Sequence, residues 1–515
     1  MKFDTKSVAR KFRILAVFLA ALMLMSSFIA CSAPEEETET ESATETVAVT
    51  ETEKETEDPR QSVKDGIPEG TSFSNQAHNA VTFFTRDDKD IWKYEMDNDE
   101  IRNDTLYDAI YARNRKIEER IGVEIKTIQQ NGVVSKVSAW NQTLRNTVNT
   151  KSGDFEAAAF YLSQSSALAL EGMYYNVADF PHIDLDKPWW NQNIRDELTL
   201  FDALFFLAGD IAISQVASGF AVFYNKDLFT KNYSAADTDL YQLVRDGEWT
   251  IDKMYELVEP VWEDSNSSGT IDDGDVIGFS VGNVSSEADG GMDSWVAAMG
   301  ISLTTMVDGI PQLSFYSERT VSAFEKVKAL HLDNPSALGG SRTETNFANG
   351  NVLFHRSMLN NGSTLRDVQF NYGVLPLPKF DEDQENYGTN CENTASMIAV
   401  LSSCEDDKVD MVGATLELMA AGSYKEVTPA YYEIALKSKY SNAPDDAEMY
   451  DLILNTFSFS FGYCYSSVSL AAVGSLFRNL TRDFAQAYES SRTKYENALE
   501  TLITKLEDAA FNSQN

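Results

Sequence analysis

The sequence predicts an α/β protein built as two lobes, carried behind an export signal and an extended acidic tether. Three observations lead there. Strand-like and helix-like segments alternate from Val81 onward, which is the pattern of parallel pairing in an α/β layer. Roughly 440 residues follow Asn75 with ordinary apolar and aromatic content, enough for two cores rather than one. The chain also opens on Lys2, Lys6, Arg10, Lys11 and Arg13, followed by the apolar run Ile14 to Ile29, the layout of an export signal.

That leader ends in Phe28-Ile29-Ala30-Cys31, which resembles the lipobox of bacterial lipoproteins, with Phe28 where Leu or Val is usual. The resemblance implies that Cys31 becomes the first mature residue and carries the lipid. An uncleaved N-terminal anchor is the alternative, and both place the rest of the chain outside the cell. From Glu35 to Asp58 the chain is almost wholly Glu, Thr, Ala and Val, with eleven acids against Lys54. Such a stretch cannot bury enough apolar surface to offset its ordering entropy, and its like charges extend it. It reads as a tether over residues 32–77, after the signal segment 1–31. The net charge of −38 argues against nucleic acid, anionic lipid surfaces and polyanionic substrates as partners.

Within the folded part, Val81–Thr85 reads as a strand and Asn103–Arg120 as an amphipathic helix with Leu106, Ile110 and Ile117 on one stripe, ended by Gly122. Val123–Ile128 alternates as a second strand, Ser138–Thr150 is a helix, and Ala157–Leu162 is a buried strand. Ile211–Tyr224 looks strand-like throughout, with Ser218 and Gly219 in its middle. Trp249–Val258 is a helix opened by a threonine cap. Cys391 and Cys404 flank an apparent strand, Ala395–Leu401, whose length holds them too far apart to bridge; no disulfide framework is expected.

Four segments together carry a family resemblance. Val222-Phe-Tyr-Asn-Lys-Asp-Leu-Phe229, Trp249-Thr-Ile-Asp-Lys-Met254, Phe347-Ala-Asn-Gly-Asn-Val-Leu-Phe354 and Tyr372-Gly-Val-Leu-Pro-Leu-Pro378 resemble, in order, the signatures of extracellular solute-binding lipoproteins of ABC importers of the maltodextrin-binding type. The resemblance implies the two-lobed type II periplasmic-binding-protein fold with ligand between the lobes. It also implies a sugar-like solute, ABC permease subunits with their ATPase as partners, a lipid-anchored place on the outer face of a bacterial, Gram-positive membrane, and no catalysis. Carried over, lobe one comprises 78–214 and 376–426 and lobe two 215–375 and 427–515. The crossings then fall near Gln215–Ser218, Leu375–Lys379 and Val427.

A cleft for neutral sugars or polyols needs aromatic faces and a few fixed polar groups. Candidates are Trp189 and Trp190 in a proline-containing loop, Trp295 at a helix start, Arg86 and Asp87 at the end of the first strand, His355 and Arg356 after Val352–Phe354, and Ser218 at the first crossing. For the tryptophans, packing anchors of a long loop are an equal reading; for the polar positions, solvated surface is. One metal pattern stands out: Asp264, Asn266, Ser268, Thr270, Asp272 and Asp275 occupy the ligand positions of a twelve-residue calcium loop, with Gly269 at the turn. A plain acidic loop is the alternative. Gly278-Phe-Ser-Val-Gly282 matches a nucleophile elbow without the helix that should follow it. A surface-tethered glycan-degrading enzyme using paired carboxylates, and a binding-only adhesin or sensor ectodomain, remain as alternative functions.

Overall fold

In the computed structural model, residues 58–234, 238–281, 290–339, 343–360, 365, 367–436, 444–466 and 470–513 are described, and residues 58–515 form one compact unit distinct from 1–57. Cys31, the signal segment and most of the tether therefore lie outside the described residues. Among the described residues no helix is long and apolar enough to cross a membrane.

Two sheets organise the unit. The first uses β1 (Ala80–Arg86), β2 (Glu124–Gln130) and β3 (Ala157–Tyr161). β1 pairs in parallel with β2 and β3, each connection passing through a helix. The sequence reasons are local. Asp104 caps the Thr105–Ile121 helix through the Leu106 and Tyr107 amides, and Gly122 ends it in the left-handed region at φ 69°. Leu106, Ile110 and Ile117 are buried along its inner stripe as expected. The second sheet contains β4 (Phe220–Asn225) and β5 (Ile277–Val281). After a separate hairpin of β6 (Thr304–Val307) and β7 (Ile310–Leu313), it gains β8 (Ala337–Gly339), β9 (Val352–Met358) and β10 (Tyr372–Leu375) in the order β10-β4-β9-β5-β8. β11 (Ser396–Val400) then joins the first sheet antiparallel to β3, giving β11-β3-β1-β2.

Two segments differ from expectation. Ile211–Tyr224 is not one strand: Ile213–Ala217 is helical and only Phe220 onward is β4. The segment is buried throughout, so its apolar run carried no period by which to tell helix from strand. The return expected at Leu375–Lys379 does not reach the first sheet there, because Lys379 pairs with Thr250 and strand pairing resumes only at Ser396. Val427 packs with Leu106, Ile110 and Tyr431 against the Thr105–Ile121 helix, whereas the Pro444–Asn455 helix packs on β10.

Between the sheets three extended segments run side by side. Gly219 bridges Cys391, Thr389 bridges Phe457, and the Ser458 amide donates to the Thr389 carbonyl at 2.9 Å. A Cβ on Gly219 would lie 2.4 Å from the tip of the Phe457 ring, so any larger residue there must push that ring aside. Cys391, Cys404 and Cys464 are free and buried.

Candidate functional site

The extended stretch at residues 457–460 sorts its side chains by alternation. Ser458 and Ser460 line a cavity of about 400 Å³ on one side of the crossing ribbon, while Phe457 and Phe459 line another of about 570 Å³ on the other side.

The first, front cavity sits where open α/β sheets place ligands, beyond the carboxyl end of a parallel strand. Ser163 and Gln164, which follow β3, form one wall, and the Asp293–Ala298 helix with Gly300–Leu303 forms another. Asn390, from the ribbon, and Asn393 form the floor. Among the described residues its only charged lining groups are Asp293 and Arg478, which neutralise each other in a two-point pair at 2.7 and 2.5 Å. What remains is a set of serine hydroxyls and carboxamides set among the apolar side chains of Val296, Ile301 and Leu303. The Asn390 side-chain oxygen is buried and has no hydrogen-bond partner among the described residues. Tyr463 supplies the aromatic ring, its hydroxyl donating to the Cys391 carbonyl at 3.1 Å and so tying the wall to the ribbon. Such a lining suits a neutral, hydroxyl-rich solute. It holds one carboxylate, already engaged, and no carboxylate pair among the described residues.

None of the residues singled out from sequence lines this front cavity. Trp189 and Trp190 are fully buried, not exposed faces: their indole N–H groups donate to the two oxygens of Glu417 at 3.1 and 2.9 Å, and the Asp184 amide adds a third bond. Burial pushes the Glu417 carboxyl up to about 7 against the pull of these donors. Gly209 lets the tryptophan loop close, since a Cβ there would stand 2.1 Å from the Trp189 carbonyl. Trp295 is in the core, edge-to-face with Phe279 and His331. Arg86 is buried between the rings of Trp92 and Tyr161 at 3.6 and 3.9 Å, and donates to the Thr394 carbonyl, joining β1 to the turn before β11. Asp87 beside it is exposed.

His355 and Arg356 do not end a strand, because β9 runs on to Met358. The His355 ring lies against Phe347 and shares a 2.6 Å hydrogen bond with Ser280; burial lowers its pKa to about 3, with Arg356 adding to the effect. Ser280 therefore sits in a strand as a structural partner, not on an elbow. Arg356 donates to the Gly291 carbonyl and pins the approach to the Asp293–Ala298 helix. Ser218 is buried, and its carbonyl accepts from the Glu392 amide. The residues that sequence reasoning missed are Asn390, Asn393, Ser458, Ser460 and the Asp293–Arg478 pair. The one local signal was the alternation Phe457-Ser-Phe-Ser460.

The proposed calcium loop closes on itself. Asp264 accepts from the Ser268 and Gly269 amides, and Asp275 accepts from the Ser265 and Asp272 amides and the Trp262 indole, which hold its carboxyl below the usual range. Asn266 donates its amide to both oxygens of Asp272, so two intended ligands bind each other. Among the described residues no three acidic, histidine or cysteine groups converge as a metal cage.

Neither a protein-family model nor a curated protein matches this chain. The fold is nevertheless that of a type II periplasmic-binding-protein-like architecture. The galacto-N-biose/lacto-N-biose I-binding protein of the Bifidobacterium longum ABC transporter is similar at TM-score 0.54 and 12% identity, over 84% of this chain and 99% of that one. A cyclo/maltodextrin-binding protein complexed with maltotetraose gives TM-score 0.52 and 11% identity, over 85% and 98%. UspC of M. tuberculosis gives TM-score 0.52 and 17% identity, over 81% and 100%. At these identities the likeness is one of fold.

Proposed function

We propose that this chain captures a neutral, hydroxyl-rich solute, an oligosaccharide, in the front cavity and hands it to an ABC permease, without chemistry of its own. The observation that carries this reading is the cavity lining: hydroxyls and carboxamides around the unpartnered oxygen of Asn390, with the single ion pair internally neutralised. The solved structures of similar fold support it, since their names describe binders of lacto-N-biose and maltotetraose. A glycan hydrolase would need two free carboxylates at the site. The proposal includes a lipid-anchored, extracellular location through Cys31. It assigns residues 78–214 with 390–436 to one lobe and 220–389 with 444–513 to the other, hinged at the ribbon.

A thermal-shift screen against neutral oligosaccharides tests the reading, since a ligand bound only by the native state raises the melting temperature as RT ln(1 + [L]/Kd). A hit that Asn390→Ala weakens supports it. No hit across a broad glycan set, or release of new sugar products during incubation, overturns it.

A further inference from the structure

The back cavity, on the other side of the ribbon, has a different chemistry and plays no part in the proposed capture of sugar. Its walls are aromatic: Trp189, Trp190, Tyr424, Tyr432, Phe457 and Phe459 all border it. Its charges do not cancel as those in front do. Among the described residues Asp58, Asp210 and Asp451 line it against Arg60 alone. Arg60 pairs with Asp58 at 3.4 Å and stands 5.9 Å from the Tyr432 ring, and it makes no ion pair with Asp210 or Asp451. Asp210 takes one hydrogen bond, from Thr428, on one of its oxygens. Asp451 makes no hydrogen bond or ion pair among the described residues. Tyr432, nine-tenths buried, borders the cavity beside both acids, and its hydroxyl makes no hydrogen bond among the described residues.

We propose that this back cavity is a second binding site, for a small organic cation bearing an ammonium or guanidinium group. The carboxylates of Asp210 and Asp451, which Arg60 does not pair with, bind the charge, and the part-buried Tyr424 and Phe457 rings hold the alkyl body. Arg60 is the resident model for such a ligand: a guanidinium from the first described turn already reaches into the same field, felt by Asp210, Tyr424, Tyr432 and Asp451. The cavity spans the ribbon region, with Asp210 near its first crossing and Asp451 on the helix packed against β10. An occupant therefore touches both sides of the proposed hinge.

Calorimetric titration of the full chain with agmatine, which carries both cationic groups, tests this, with pentane-1,5-diol as the uncharged control. Saturable agmatine binding is expected, with the diol at least tenfold weaker. Asp210→Asn and Asp451→Asn should each weaken agmatine roughly tenfold, and Arg60→Ala, which removes the competing resident charge, should tighten it several-fold. Asn390→Ala should leave it unchanged, which separates this site from the sugar cavity whatever the glycan screen returns. Melting curves verify that each variant is folded, and Asp451→Asn, at an exposed position, keeps the test open if Asp210→Asn unfolds. No saturable binding to wild type and Arg60→Ala, equal binding of the diol, or agmatine affinity indifferent to both acid substitutions overturns the proposal.

Discussion

The two cavities share one ribbon and differ in almost everything else. In front, serines and carboxamides surround an ion pair that cancels itself; behind, six aromatic rings surround acids that one arginine leaves uncompensated. The alternation of Phe457, Ser458, Phe459 and Ser460 is enough to divide them, because successive side chains of an extended segment point to opposite sides. The difference teaches that compensation of charge, more than its presence, decides what a cavity can hold. Asp293 locked by Arg478 leaves a neutral site, whereas Asp451 without a partner leaves an anionic one.

The strongest way to break the comparison is to remove the clamp under the back wall. Glu417→Ala leaves two buried indole N–H groups without acceptors, and at about 1–3 kcal/mol for each such group the loss should be about 2–6 kcal/mol by chemical denaturation. Trp190→Ala should cost about 3–5 kcal/mol by emptying the same space. Either variant destabilising by less than about 1 kcal/mol would mean that the tryptophans are not packed as described.

Next in size is the front pair. Arg478→Ala strands the mostly buried Asp293 carboxylate and should destabilise by about 3 kcal/mol, whereas exchanging the pair for two neutral residues of similar shape should cost less than the single change. Equal losses for the single and double variants would show that no coupling exists.

Smaller and more selective is Asn390→Ala. Its side-chain oxygen has no protein partner to lose, so the melting temperature should hold within a degree or two while affinity for a bound glycan falls about tenfold. A drop in stability with affinity unchanged would move the sugar site elsewhere.

The Glu417 clamp also titrates. Its folded carboxyl lies near 7 and an unfolded glutamate near 4.5, so the folded state holds the proton more tightly. This group's contribution is therefore most favourable below about 4.5 and is lost as pH rises through 7. The melting temperature of wild type, measured relative to Glu417→Gln, should fall between those pH values, and a flat difference would contradict the assignment. The smallest expected effect is at the acidic loop: calcium or chelator should leave the melting temperature unchanged, because Asn266 and Asp272 already satisfy each other. A calcium-dependent rise abolished by Asp264→Ala would restore the metal site.

What could be read along the chain was whatever depends on near neighbours. β1, the Thr105–Ile121 helix with its Asp104 cap and Gly122 stop, β2, β3 and the Thr250-capped helix follow from period, cap and turn residues a few positions apart. The type II architecture was legible through motif order. The role of each polar or aromatic side chain was not, because it depends on partners brought together only by the fold. Trp189 and Trp190 look like exposed sugar platforms until Glu417, more than two hundred residues away, takes both indoles. Arg86 looks like a ligand contact until Trp92 and Tyr161 enclose it. Asn390 carries no sequence signal, and only the pairing of three distant extended segments turns its amide into the floor of a cavity. Local pattern thus determined the elements and their order, while tertiary packing decided which groups were left without partners, and those are the groups available to a ligand.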